Sequence, residues 1–324
     1  QELKFQLRLH FCNDCYAVQV IDKVPKELLF QHYFYFSSSI ATLRKHFCEY
    51  AVEVTNRFLS PEKATVLEIG CNDGVLLCPL ADQGIRNIIG VDPATNVIAN
   101  INDPRLTLIN NYFTEELAES VIAEYGKIDM IVANNVFAHI SDIQGTTRAV
   151  AYALHDDGIF IFEVHYLGKV INELQYDMVY HEHKYYYSLL SAKRHFERYD
   201  MMVFDIKPTP THAGSMRFYV CKKGGKYSSS VSQAVKILEN EERSKGFDLY
   251  ETFQNFSRIL AVHRVELITV LNKLRKQGYK IAGYGASGRA NSMIQYCGIN
   301  HDHLDYLIDD APAKVGFYTP GSHF

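Results

Sequence analysis

The sequence predicts an α/β protein centred on a doubly wound, mostly parallel sheet, and three observations carry that expectation. Short apolar runs near 65–69, 88–92, 106–109, 129–134 and 158–164 alternate with stretches of helical periodicity, the pattern of successive βαβ units. The first run, Val66 to Ile69, leads into Gly70-Cys71-Asn72-Asp73-Gly74, and the second closes on Asp92. A further strand, glycine turn and helix start appears at Lys280 to Arg289, with Tyr306-Leu307-Ile308-Asp309-Asp310 as its next strand.

The first βαβ unit says most about function. Glycines let the backbone pass close to a ligand, and a carboxylate ending the second strand can hold both hydroxyls of a ribose. The spacing is Glu-x-Gly-x-x-x-Gly, from Glu68 through Gly70 to Gly74, not the Gly-x-Gly-x-x-Gly that suits a dinucleotide pyrophosphate. The expected ligand is therefore an adenosine without phosphates. The segment resembles motif I of the S-adenosylmethionine-dependent methyltransferases, which makes Glu68, Gly70, Asn72, Gly74 and Asp92, with Asn135 after the 129–134 strand, the expected cofactor-binding residues. A doubly wound domain whose turn needs glycine for steric reasons alone is the competing explanation. The shared spacing of Glu68, Gly70, Gly74 and Asp92 weighs against it.

Composition sets the bounds. At 324 residues the chain is long enough for two domains and a small appendage. A net charge of −4 with scattered Lys and Arg gives no basic footprint for nucleic acid. No apolar run approaches the roughly 20 residues that span a bilayer, and QELKFQLRLHF lacks the apolar centre of a signal peptide, so a cytoplasmic protein without a membrane segment is expected. Tyr (22) and Phe (19) are abundant and Trp is absent, an aromatic bias that suits pockets for sugars or bases.

Residues 1–45 read as a strand-rich lobe in which Leu3 to Phe11 and Ala17 to Ile21 flank Cys12-Asn13-Asp14-Cys15. That is half of a zinc-ribbon knuckle. A closed structural zinc site takes four ligands, and no second Cys-x-x-Cys follows, so Cys12 and Cys15 are either half a metal site or an inert pair. Residues 46–225 carry the sheet and an insert, 166–222, dense in Tyr and His. Residues 226–324 begin with a polar Ser-rich break, continue as one long helical segment over 231–277, and end in the second βαβ start.

The chemistry-bearing cluster is Tyr180-His181-Glu182-His183. A histidine near its ordinary pKa takes a proton near neutrality, and a phenol or second imidazole can stabilise an oxyanion. A zinc site and a solvated polar turn are the alternatives, and His-x-His has no nearby third ligand in sequence.

Together with Cys12-Asn13-Asp14-Cys15, Tyr33-Phe34-Tyr35-Phe36-Ser37-Ser38, Asn135-Val136-Phe137-Ala138-His139, Thr211-His212-Ala213-Gly214-Ser215-Met216-Arg217, Gly283-Tyr284-Gly285-Ala286-Ser287-Gly288-Arg289-Ala290-Asn291 and Lys314 to Gly321, these segments resemble, in order, the 3-C-methyltransferases of nucleotide-linked 4-keto-6-deoxyhexoses. The resemblance covers essentially the whole chain. It implies a class I methyltransferase Rossmann-like domain, a small N-terminal zinc-ribbon-like lobe and a C-terminal Rossmann-like α/β domain, here partial. It implies S-adenosylmethionine as cofactor and zinc in the lobe. It puts the base on His183, with Tyr180, Glu182, His181, His139 and Tyr35 around the sugar. His212, Ser215, Arg217, Gly283, Gly285, Ser287, Arg289 and Asn291 become substrate-binding residues, and Cys12 and Cys15 metal ligands. The expected partner is a nucleotide-diphosphate sugar, and the expected state a monomer. Ala213 replaces a glycine of the family's His-Gly-Gly-Ser element, the first cysteine pair is absent, and the chain is expected to be a trimmed or shortened member.

Two other functions compete. Gly283-x-Gly285-x-x-Gly288, with Asp309 about where a ribose-binding acid would stand, is formally a dinucleotide fingerprint and would suit an NAD-dependent oxidoreductase. Too little chain follows Gly288 to complete such a fold, so the loop is read as a cradle for a sugar nucleotide's diphosphate. The other is a noncatalytic S-adenosylmethionine-binding protein.

Overall fold

The computed structural model describes residues 2–22, 24–30, 33, 35–311 and 314–324. Phe34, part of the expected sugar-facing segment, lies outside the described residues. In chain order the strands are β1 Leu9–Phe11, β2 Val18–Val20, β3 Thr65–Ile69, β4 Asn87–Val91, β5 Leu106–Ile109, β6 Ile128–Asn134, β7 Leu154–His165, β8 Tyr185–Tyr186, β9 Met201–Thr209, β10 Ser215–Lys222, β11 Ala282–Tyr284 and β12 Tyr306–Ile308.

Seven of them form one sheet in the order β5-β4-β3-β6-β7-β10-β9. The first five run parallel, and β10 is antiparallel to both β7 and β9. The order reverses between β3 and β6, which opens a crevice outside their carboxyl ends. β3 is buried at all five positions, as a central strand covered on both faces must be. Its side chains alternate between two cores: Leu67 joins Ile89, Ile131, Phe160 and Phe162 on one face, and Val66 joins Ile88, Met130, Ile159 and Tyr219 on the other. Helix Ala41–Phe58 covers the second face with Leu43, Phe47, Tyr50, Ala51 and Val54, so a boundary at residue 46 falls inside a helix.

The N-terminal lobe is smaller in strand content than expected. β1 and β2 pair antiparallel, and β2 pairs in turn with β8, just after His183. The lobe is thereby tied to the Tyr- and His-rich insert. The helical segment expected over 231–277 is two helices, Gln233–Ser244 and Tyr250–Lys276, because the chain turns at Gly246 with φ +69°. The first packs Val235 into the main core and buries Glu242. That carboxylate accepts from the N–H groups of Leu189 (2.8 Å) and Leu190 (2.9 Å) and from the Tyr166 hydroxyl (2.8 Å), capping helix Leu189–Glu197.

At the C-terminus β11 and β12 pair in parallel around helix Gly288–Cys297, a βαβ unit as expected, with its own core of Leu271, Ile294, Cys297, Ile299 and Leu304. Among the described residues no helix is long and apolar enough to cross a membrane.

Candidate active site

One cavity of about 1000 Å³ opens at the carboxyl ends of β3, β4, β6 and β7. Its walls run from the glycine turn through the histidine cluster to Arg289.

The cofactor half is built from the turn after β3. Gly70 has φ +68°, and a Cβ there would stand 2.3 Å from Val136 Cγ2, so the position admits no side chain. Gly74, with φ +77°, closes the turn behind the cavity wall. Asn72, also at positive φ, donates its N–H to Asp92 Oδ2 (2.9 Å), and Ala94 donates to Oδ1 (2.8 Å). Burial raises the Asp92 carboxyl and the two N–H bonds oppose that rise. Each oxygen keeps a lone pair for a ligand hydroxyl.

Glu68 lies deeper. Its Oε1 accepts from Asn134 Nδ2 (3.1 Å), while Oε2 and Asn134 Oδ1 are buried with no partner among the described residues. Burial pushes the Glu68 carboxyl up to about 8, against the Asn134 hydrogen bond. A ligand ammonium beside these two oxygens would favour the Glu68 carboxylate and donate to both, and a carboxylate at Asp92 asks for hydroxyls; the set fits S-adenosylmethionine. Asn135, at φ +54°, completes this wall and donates its N–H to the Glu163 carbonyl (2.7 Å). Asn134 was not singled out in the sequence, nor were Asn111, Tyr112 and Phe113 after β5, which extend the wall past Asp92.

The other half of the cavity centres on His183. Its Nδ1 lies 3.1 Å from the Met178 carbonyl, which can only accept, so Nδ1 carries the hydrogen. Nε2 therefore has the free lone pair and stands 3.1 Å from the Tyr180 hydroxyl. Burial, and then the neighbouring His139, hold the His183 pKa well below its ordinary value. The expectation of a near-ordinary histidine is thus corrected: it is neutral throughout the neutral range. Burial likewise takes His139 down to about 4, and its ring centroid lies 5.0 Å from that of His183.

Burial raises the Glu182 carboxyl, which accepts from the Tyr33 hydroxyl (3.2 Å). Tyr35 lines the rim, and its carbonyl accepts from Asn72 Nδ2 (2.9 Å), tying the aromatic segment to the glycine turn. His212 reaches the cavity from a strained turn with φ +50°.

His165, at the end of β7, is a wall residue that sequence reasoning missed. It is buried, and burial takes its pKa down to about 4.

Several expected residues are not brought to the cavity. His181 turns outward, with Nε2 2.8 Å from the Gln6 carbonyl and its ring against Phe5. Ser215 donates its hydroxyl to the Thr211 carbonyl. Arg217 is buried beneath the site, paired with Glu163 (2.9 Å) and stacked on Tyr50 (3.4 Å). Gly283, Gly285 and Asn291 do not line the cavity, whereas Ser287, Gly288 and Arg289 do. Arg289 is paired with Asp177 (Nε to Oδ2, 2.9 Å).

Asp309 is already held inside its own loop by the N–H groups of Ala286 and Ala311 and by Lys314. A dinucleotide's ribose would have to compete with all three. Cys12 and Cys15 are free thiols, and among the described residues no group of three or more His, Cys, Asp or Glu side chains could hold a metal. The two cysteines supply half of the four ligands of a closed zinc site.

A family model described as a methyltransferase domain matches residues 43–204, half of the chain, and one described as a C-methyltransferase C-terminal domain matches residues 210–324. The chain belongs to the S-adenosylmethionine-dependent methyltransferases. Its cofactor is S-adenosylmethionine. It is 29% identical to the C-methyltransferase NovU of Streptomyces niveus over 99% of this chain and 76% of NovU. It is 35% identical to a ubiquinone biosynthesis O-methyltransferase of Methylobacterium sp. (strain 4-46) over 30% of this chain and 39% of that one. Among solved structures it is similar to magnesium protoporphyrin IX methyltransferase of Synechocystis PCC 6803 with bound SAH, at 14% identity and a TM-score of 0.44, over 55% of this chain and 83% of that one.

Proposed function

We propose that this methyltransferase acts on C3 of a nucleotide-linked 4-keto-6-deoxy sugar, through an enolate, with His183 as the base. The observation that carries this is the buried, neutral His183, whose hydrogen-free Nε2 stands in the same cavity as the Asp92 and Glu68 cradle.

A carbon is nucleophilic toward a methyl sulfonium only after losing its proton, and a C–H beside a ketone is acidic enough for an imidazole to remove it. The proton moves from C3 to His183 Nε2, and the Met178 carbonyl keeps Nδ1–H in place as the imidazolium forms. The Tyr180 hydroxyl, displaced from Nε2 by the substrate, turns to the C4 oxygen, where charge develops. S-adenosylmethionine held by Asp92 and Glu68 would supply an electrophilic methyl: its S–CH3 bond would break as the C–C bond forms, with S-adenosylhomocysteine as the leaving group. His183 is buried, and partly buried His139 and Glu182 stand beside it, which would limit water around the enolate. Arg289, with the N-terminus of helix Gly288–Cys297 behind Ser287, offers the positive end that a diphosphate needs. The name of NovU supports carbon as the methyl acceptor.

The test is incubation with S-adenosylmethionine and TDP-, GDP- or CDP-linked 4-keto-6-deoxy sugars, followed by NMR of the product. A new methyl on C3 is expected. A methyl on C5, the other carbon beside the ketone, would overturn the position, and transfer to oxygen would overturn the enolate.

A further inference from the structure

We infer that Asp177 is a positioning residue that couples the C-terminal unit to the base. The inference rests on His183 being that base. The short turn Tyr176–Met178 lies between helix Gly288–Cys297 and His183 and is held from both sides.

On the C-terminal side Asp177 Oδ2 accepts from Arg289 Nε (2.9 Å) and Nη2 (2.5 Å), and the Tyr176 hydroxyl stands 3.4 Å from Cys297 Sγ and 3.5 Å from His263 Nδ1, with its ring against Tyr296. On the other side the Met178 carbonyl receives His183 Nδ1–H (3.1 Å) and the Tyr186 hydroxyl (3.2 Å). The ion pair and the carbonyl that selects the tautomer belong to adjacent residues, Asp177 and Met178. If that carbonyl swings away, no acceptor holds the hydrogen on Nδ1, and the hydrogen can move to Nε2, the nitrogen that must be bare to take a proton.

The chain of contacts also explains the placement of Arg289. A diphosphate drawing on that guanidinium acts on the same carboxylate that anchors the turn, so occupancy of the substrate's charged end is transmitted to the base at its reacting end. Asp177 itself need touch neither substrate nor cofactor.

The test uses Asp177→Ala and the milder Asp177→Asn, which keeps an acceptor for Arg289. With a methylated acceptor in hand, Asp177→Ala is expected to lower kcat about tenfold or more, with the KM for S-adenosylmethionine unchanged and Asp177→Asn losing less. Nitrogen NMR of the His183 ring is expected to show the Nδ1–H tautomer in the wild type and a mixture in Asp177→Ala. Wild-type kcat in both variants, a change confined to the KM of the sugar nucleotide, or an unaltered tautomer in folded Asp177→Ala would each overturn the inference. The NMR measurement needs no substrate, so it still decides if no 4-keto sugar is methylated and the substrate reading fails.

Discussion

At the scale of single residues, the glycine turn and the carboxylate of the candidate cofactor cradle were legible because their signals are local. Glu68, Gly70, Gly74 and Asp92 sit within one βαβ unit, and backbone sterics fix their spacing. The acceptor site was only half legible. His181 and His183 are two positions apart on irregular backbone and face opposite ways, one to the Gln6 carbonyl and one to the cavity, which no periodicity reveals. His165 gave no signal at all, being one histidine at the end of a buried strand.

Asp92→Ala should weaken S-adenosylmethionine binding by about 2 kcal/mol or more, since charge-assisted hydrogen bonds to both hydroxyls are lost. Calorimetry on the folded variant checks this, and unchanged affinity would remove Asp92 from the site. The depressed pKa of His183 sets the pH response. Its neutral form is the active one and its folded pKa lies below the ordinary value of about 6.5, so methyl transfer should stay level from pH 8 down to about 6.5 and fall only further into acid. A half-maximal rate at pH 6.5 would show an ordinary histidine.

At the scale of elements, the apolar runs located the strands of the parallel half-sheet to within a few residues, because central strands buried on both faces leave continuous apolar sequence. The pairing of β2 with β8 and the break at Gly246 depend on partners far along the chain or on one glycine inside a helical pattern, and periodicity passes over both. Arg217 shows the same limit. A motif placed it at the substrate, whereas the register sets it directly across from Glu163 on β7, under the site.

Burial alone would raise the Glu163 carboxyl, but the His46 hydrogen bond and the Arg217 charge outweigh it and hold it at about 2. A folded pKa below the unfolded value of about 4.3 gives stability that is present above pH 4.3 and lost as pH falls toward 2. Glu163→Gln should remove that acid dependence and cost about 2 kcal/mol or more at neutral pH, because buried Arg217 then keeps, among the described residues, only Glu53 (3.3 Å) as a charge partner. Urea denaturation across that range measures both effects, and a loss under about 1 kcal/mol would show that the pair is dispensable.

At the scale of the whole molecule, two glycine loops from different parts of the chain serve one cavity: the turn after β3 forms one wall, and Ser287 to Arg289 close the far end. Sequence supplied both loops, but not their convergence, which follows from how the C-terminal unit packs on the Tyr176–Met178 turn. Gly285, at φ +101°, shapes the second loop from behind. Gly285→Val should raise the KM for the sugar nucleotide while leaving S-adenosylmethionine affinity unchanged, and tight NAD binding there would instead favour a dinucleotide site.

The central claim is that His183 makes the carbon nucleophilic before any methyl moves. It is tested most directly by following the C3 hydrogen of a nucleotide-linked 4-keto-6-deoxy sugar in deuterium oxide without S-adenosylmethionine. The wild type should wash deuterium into C3, and His183→Asn, which keeps size and polarity but not basicity, should not. Exchange at the wild-type rate in folded His183→Asn would contradict the assignment and move the base to another residue of the cavity.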